Sequence, residues 1–213
     1  MSRAHVAGAA LAALAAAAPA AAGPRWLGLA ALGGSAQPVA ALADYQLDVR
    51  PSPAWGLQLD AGTGPCALGL RLWRSRTTQS LGAAGAGDPA VHATSLELVA
   101  RARLAAWRGV GFEVLASGGR LALGWDPDRV TLDAGGTPVE VDFAPVHEWV
   151  AGAGLALRTR LPGRCRLGLE WERRTWALDT AHRSGSAIVN GRDRFGDWSA
   201  RLVLAREWDW WGT

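Results

Sequence analysis

Apolar and polar positions alternate with a period of two along most of the chain beyond residue 24. Leu68, Leu70 and Leu72 share one face of a segment whose other face holds Ala67, Gly69 and Arg71. Leu96, Leu98, Ala100, Ala102 and Leu104 are opposed by Glu97, Val99, Arg101 and Arg103. Trp149, Ala151, Ala153, Leu155 and Leu157 oppose Gly152, Gly154, Ala156, Arg158 and Arg160, and Trp198, Ala200, Leu202 and Leu204 oppose Ser199, Arg201, Val203 and Ala205. Alternation of this kind predicts strands rather than helices. It places eight of them at about 25–35, 54–62, 66–77, 93–106, 110–125, 147–161, 164–178 and 196–208. The fifth changes phase between Val114 and Leu121, where Gly118-Gly119 predicts a bulge. The seventh changes phase after Trp171.

The connections alternate in length. Short turns are expected at Thr63-Gly64-Pro65, Trp107-Arg108-Gly109 and Pro162-Gly163, and long loops at about 36–53, 78–92, 126–146 and 179–195. Outer-membrane barrels keep short turns on the periplasmic side and long loops outside, with even strand counts. The predicted fold class is therefore all-β: an antiparallel up-and-down transmembrane β-barrel of about eight strands. Tyr45, Leu47 and Val49 also alternate, so 40–50 is either part of the first loop or an additional strand. Within the third long loop, Arg129-Val130-Thr131-Leu132 and Val139-Glu140-Val141-Asp142-Phe143 flank Asp133-Ala134-Gly135-Gly136, which predicts a projecting hairpin. Its edges are open to strand addition by another chain.

The first residues add a compartment. Arg3 precedes the Ala/Leu run Val6 to Ala18, and Ala20-Ala21-Ala22 offers a small-residue cleavage site. That is the layout of a secretory signal peptide over 1–22, leaving 23–213 as the barrel. No later apolar run reaches the length of a membrane-spanning helix. The net charge of +3 is small and comes wholly from Arg, since the chain has no Lys. The arginines are scattered singly, unlike a nucleic-acid footprint. Cys66 and Cys165 open strands three and seven on opposite sides of an eight-stranded barrel, too far apart for a disulfide.

The charged face carries Gln58, Asp60, Arg71, Glu97, Arg101, Arg103, Arg158, Arg160, Arg166, Glu170, Glu172, Arg201 and Glu207. Alternation alone does not say which face points inward. The 12 tryptophans bear on the choice, because indole favours the membrane–water boundary. Trp55, Trp73, Trp125, Trp149, Trp176 and Trp198 are expected near the outer rim and Trp26, Trp107, Trp208, Trp210 and Trp211 near the periplasmic one, as two girdles. The charges then face a lumen narrow enough for side chains to fill. There, Arg71, Glu97, Arg101, Arg103, Arg158, Arg160, Glu170, Glu172 and Arg201 are expected to form a structural ion-pair network.

The opening Trp26-Leu27-Gly28-Leu29, the strand Val150-Ala151-Gly152-Ala153-Gly154-Leu155 and the closing Trp198 to Trp208 strand resemble small eight-stranded outer-membrane barrels of the OmpA-like and opacity-protein type. The resemblance is architectural and covers the chain beyond the leader. Such families end on an aromatic, whereas this chain continues past Trp208 to Trp210-Trp211-Gly212-Thr213.

Chemistry is sparse. His92, His147 and His182 fall in or beside predicted outer loops without metal-ligand spacing, so no metal and no cofactor is expected. Asp126-Pro127-Asp128 with Asp133 lacks the glycine and terminal Glu of a calcium loop. Lipid A deacylases are similar in size and use a His–Ser pair, but His147 is followed by Glu148-Trp149. The His182-Arg183-Ser184 pair, with Ser186 nearby, lies in a loop that holds a nucleophile poorly. No catalytic residue is assigned. The expected role is structural or surface-interacting, adhesion-like, through outer loops 126–146 and 179–195, with outer-membrane lipid around the wall and no nucleic acid. A passive channel or lipid-modifying enzyme, and a soluble periplasmic barrel, are the alternatives.

Overall fold

A computed structural model describes residues 25–82, 87–133, 135–184 and 187–209, with backbone alone at 181–184 and 187–189. The expected leader at 1–22 and the Trp210-Trp211 end lie outside the described residues. The alternating segments are strands: β1 (Trp26–Pro38), β2 (Ser52–Thr63), β3 (Cys66–Thr78), β4 (Ala90–Trp107) and β5 (Val110–Asp126). A short hairpin follows, β6 (Arg129–Asp133) and β7 (Pro138–Asp142), then β8 (Val146–Leu161), β9 (Cys165–Ser184) and β10 (Ala187–Asp209). Eight strands close a barrel in the order β1-β10-β9-β8-β5-β4-β3-β2, all antiparallel, and β6-β7 form a separate two-stranded sheet.

The register sets the tilt. Leu157 leads through its cross-strand partners Leu169, Leu202, Gly33, Trp55, Arg74, Thr94 and Ala122 to His147, back on the starting strand. One circuit thus climbs from residue 157 to residue 147 of β8, a stagger that requires strands inclined by roughly 35–45°. The periplasmic-type turns are tight: Arg108 and Gly109 have φ of 48° and 84°, the left-handed pair that matches the twist of a hairpin.

Leucines face out. Leu57, Leu59, Leu68, Leu70, Leu96, Leu98, Leu155, Leu169, Leu202 and Leu204 are all exposed, whereas Arg71, Glu97, Glu170, Glu172 and Arg201 are fully buried inside. This is the inverse of a water-soluble barrel. On β10, Trp198 and Trp208 both point outward. Ten residues at about 3.3 Å each, tilted as above, put them about 25 Å apart in height, the apolar thickness of a membrane barrel.

Residues 40–50 belong to the first loop, in keeping with a count of eight: Ala40–Tyr45 form a 3-10 helix, η1, ended by Gln46 at φ 62°, with an isolated bridge from Leu47 to Gln79. Other expectations need correction. No bulge occurs at Gly118-Gly119; β4 and β5 shift register between Arg103 and Ala105 instead. β9 does not change phase after Trp171 either. In both strands the alternation continues while the inward residues change from charged to apolar, which imitates a phase change in sequence. Finally, 179–195 is not a loop, because β9 and β10 remain paired from Ala187↔Ser184 downward. A hairpin standing clear of the apolar belt has no single buried face, so its backbone pairing leaves no period-two signature.

Candidate functional site: the lumen and its outer-end chamber

Every wall strand except β1 contributes a polar or charged side chain to the middle of the lumen. Arg71 of β3 bonds Glu97 of β4 and reaches Glu172 of β9 at 2.7 Å. Arg101 meets Asp60 at 2.5 Å and Glu170 at 3.4 Å, and Arg158 joins Glu170 and, at 3.3 Å, Glu113 of β5. Arg201 of β10 lies 2.5 Å from Glu172 and stacks over the Trp73 ring at 4.6 Å. Above them, Arg174 holds both oxygens of Asp197, through Nε at 2.9 Å and Nη2 at 2.5 Å, and reaches Glu97 at 2.9 Å. Nearer the short turns, Arg103 faces Glu113 at 3.7 Å and Arg166 bonds Glu207 at 2.8 Å.

The described lumen thus sets Arg71, Arg101, Arg103, Arg158, Arg166, Arg174 and Arg201 against Asp60, Glu97, Glu113, Glu170, Glu172, Asp197 and Glu207. Charge balances, as it must when ions are taken out of water. Glycines make room for it. A Cβ at Gly69 would overlap the Asp60 carboxylate, and one at Gly152 would overlap the Glu172 carboxylate and the Ser117 hydroxyl. β1 supplies apolar side chains instead: Ala30, Leu32 and Ala36 pack with Ala54, Trp73, Val203 and Ala205.

Above Arg174 the character of the interior changes. Leu121, Val150, Trp176 and Phe195 form an apolar cluster with Leu42 of η1. Leu42, Trp176 and Phe195 of this cluster bound a chamber of about 370 Å³ at the outer end, also lined by Tyr45, Leu47, Val91, Leu123, Trp125 and Leu178. Its floor includes Asp197, already saturated by Arg174. η1 lies against it, tied down by Val39 N–H to the Gly196 carbonyl (2.9 Å), by Tyr45 Oη donating to Asp193 (3.0 Å) and by the edge-on contact of Tyr45 with Phe195 at 5.4 Å. At the mouth, Trp125 donates to Gln79 at 2.6 Å and stacks on Phe143 beyond β7. Arg192 bonds the acids Glu148 (2.6 Å) and Asp179 (2.7 Å). The lumen is packed in its middle and open at its outer end, not filled throughout as expected.

The structure places Arg71, Glu97, Arg101, Arg103, Arg158, Glu170, Glu172 and Arg201 in contact with one another or with intervening acids, while Arg160 is exposed at the rim. Not expected from the sequence were Arg174 and Asp197, although each shares strand parity with a residue placed inside, and Glu113, on the one charged strand where no inward residue had been assigned. Of the girdle residues, Trp55, Trp107, Trp149, Trp198 and Trp208 are exposed on the wall. Trp26, Trp73, Trp125 and Trp176 are corrected: they point inward. Trp73 is fully buried under Arg201, and Trp26 lies 5.2 Å from the Arg166 guanidinium. Trp171, not expected as a girdle member, is exposed and meets Trp198 edge-on at 6.2 Å.

Cys66 and Cys165 are free, on strands four steps apart whichever way the barrel is followed. Among the described residues no three His, Cys, Asp or Glu side chains gather as a metal site. His92 and His147 sit on outward positions of β4 and β8, and the side chains of His182, Ser184 and Ser186 lie outside the described residues.

No protein-family model matches the chain, and no curated protein matches it by sequence. Solved structures do match. Neisserial surface protein A aligns over 84% of this chain and 95% of its own, at 10% identity and a TM-score of 0.47. Ail of Yersinia pestis, solved with the heparin analogue sucrose octasulfate, aligns over 85% and 99% at 9% identity and 0.46. The outer membrane protein AlkL in lipid bilayers aligns over 92% and 96% at 11% identity and 0.49. In outline this chain is similar to small outer-membrane β-barrels.

Proposed function

We propose that the chain is a non-enzymatic barrel of a Gram-negative-type outer membrane, exported by its leader, closed along its lumen and interacting at its outer end. The observation that carries the reading is the stacking of two interiors in one tube: a neutral, interlocked ion network below and an apolar chamber above it. Interlocked side chains block flow, because Arg71, Arg101, Arg158, Arg174 and Arg201 would each have to leave two carboxylates at once to open a path. The exposed leucines and the roughly 25 Å between Trp198 and Trp208 supply the membrane face.

The acids at the chamber support a binding role over a catalytic one. Asp197 is bound by Arg174, and Glu148 and Asp179 by Arg192, so none is left as a base. A chamber of this size and lining suits a neutral, mainly apolar group. The β6–β7 hairpin offers a second contact, with free strand edges for a protein partner.

The test is calorimetric titration of 1-naphthol into protein held in lipid nanodiscs, with empty nanodiscs subtracted. A saturable one-site heat that disappears in Leu178→Trp is expected. Equal heats for both proteins would remove the chamber from the account. Heat-modifiable gel mobility in detergent tests the membrane barrel separately; a protein that stays in the soluble fraction contradicts it.

A further inference from the structure

On the outer face of the wall, arginine and tryptophan stand side by side on adjacent strands three times. Trp55 of β2 is the cross-strand partner of Arg74 of β3, Arg120 of β5 of Trp149 of β8, and Arg173 of β9 of Trp198 of β10. All six are exposed. In the second and third pairs the guanidinium lies 4.9 Å and 5.1 Å from the ring centroid.

These pairs share one level. The climb from Leu157 to His147 is spread over eight strands, so each step around the wall raises a cross-strand partner by little more than one residue. With that allowance, Arg74, Arg120, Arg173, Trp55, Trp149 and Trp198 fall within about two residues of a common height. Arg76 and Arg194, both exposed, stand just above. His92 is the cross-strand partner of Arg76.

Among the described residues, Arg74, Arg120 and Arg173 have no ion-pair partner. Among the described outward positions of the eight wall strands, the first carboxylates met going up from the apolar belt are Asp126 and Asp179, and Asp179 is already bonded to Arg192. The level is that of the outer girdle, where indole sits among headgroups and an arginine stem lies along apolar surface with its charge at the boundary. A planar guanidinium at that depth is matched by phosphate oxygens, which it binds bidentately. The opposite rim has Arg108 over Trp107 and Arg206 over Trp208, while Arg164 there is bonded to Asp209 at 3.1 Å.

We infer that the belt of Arg74, Arg120 and Arg173, each beside its tryptophan, binds phosphate-bearing anionic lipid headgroups of the outer leaflet. The protein would then carry a shell of selected lipid around its outer rim, fixing its depth and its neighbours in the membrane. This rests on the membrane reading above.

The experiment is lipid retention by native mass spectrometry. The full chain is refolded into phosphatidylcholine vesicles with a minor share of phosphatidylglycerol, extracted, and the retained lipids counted. Retained phosphatidylglycerol is expected to exceed its bulk share by roughly fivefold per arginine engaged. The enrichment should fall to bulk in R74Q/R120Q/R173Q and persist in R108Q/R206Q. Wild-type retention at the bulk ratio, or the same enrichment in the belt variant, would overturn the inference. So would loss of the retained lipid to excess inorganic phosphate, which would mark a free-phosphate site. Heat-modifiable mobility shows whether the belt variant has folded; if it has not, the wild-type ratio alone decides. Failure of the wild type to insert overturns the membrane reading and this one with it, whereas insertion without enrichment overturns this one alone.

Discussion

The middle of the lumen and its outer end are built from the same strands and the same inward-facing positions, yet they solve opposite problems. β9 carries Glu170, Glu172 and Arg174 in the first region and Trp176 and Leu178 in the second. β5 passes from Glu113 to Leu121 and Leu123 in the same way. In the middle the wall itself completes the site: charges from seven strands meet across a gap that glycines such as Gly69 and Gly152 keep clear. At the outer end the wall is not enough. There η1, through Leu42 and Tyr45, and the following Leu47 provide the closing surface. A barrel of this width seals itself wherever paired charges span it, and remains adaptable only where loops must finish the interior.

Breaking the middle region should cost most. Arg71→Met leaves Glu97 and Glu172 without one of their buried cations and is expected to destabilise by about 3–5 kcal/mol in urea unfolding from lipid vesicles. A loss below about 1 kcal/mol would mean that water reaches the network. Gly152→Val forces the Glu172 carboxylate and Ser117 aside and should cost about 1–3 kcal/mol in the same assay. At the outer end the response should be different in kind. Leu178→Trp fills open space, so its stability should change by less than about 1 kcal/mol while 1-naphthol binding is lost. Outside both regions, Asp142→Asn removes the exposed Arg129–Asp142 pair of the hairpin and should change stability by no more than about 1 kcal/mol.

The smallest effect concerns the loop beside the chamber. Asp48 accepts hydrogen bonds from the Arg50 side chain and backbone, which hold its carboxyl below the ordinary aspartate value. Its contribution is therefore present above the unfolded-state pKa and lost as pH falls through the lowered folded one. Carbon-detected NMR should find the Asp48 midpoint below the ordinary value and raised toward it in Arg50→Gln, which keeps only the backbone hydrogen bond; an unchanged midpoint would show that the side-chain contact does not persist in solution.

The wall was legible because a barrel strand has one rule, a period of two, and because loop lengths sort by side. The positions of Leu68, Arg71, Glu97 and Leu202 follow from that rule alone. What misled the reading was chemical character taken in place of parity. Trp73 has the parity of Arg71, and Trp176 that of Arg174, so both belong inside; treating tryptophan as a membrane-boundary residue overrode the alternation. The Leu121 and Trp176 stretches looked like phase changes because the inner lining itself changes. η1 was not readable, since Ala40-Ala41-Leu42-Ala43-Asp44-Tyr45 is too short for periodicity and is held by contacts with Gly196, Asp193 and Phe195. The chamber was equally hidden, because an empty volume depends on how loops meet the wall.

The ion network should close the lumen beneath the chamber to ions, which single-channel recording in a planar lipid bilayer measures. The refolded wild type should insert, as shown by heat-modifiable mobility of the same preparation, and give no steady conductance. Regular, reproducible conductance steps from the wild type would contradict the account.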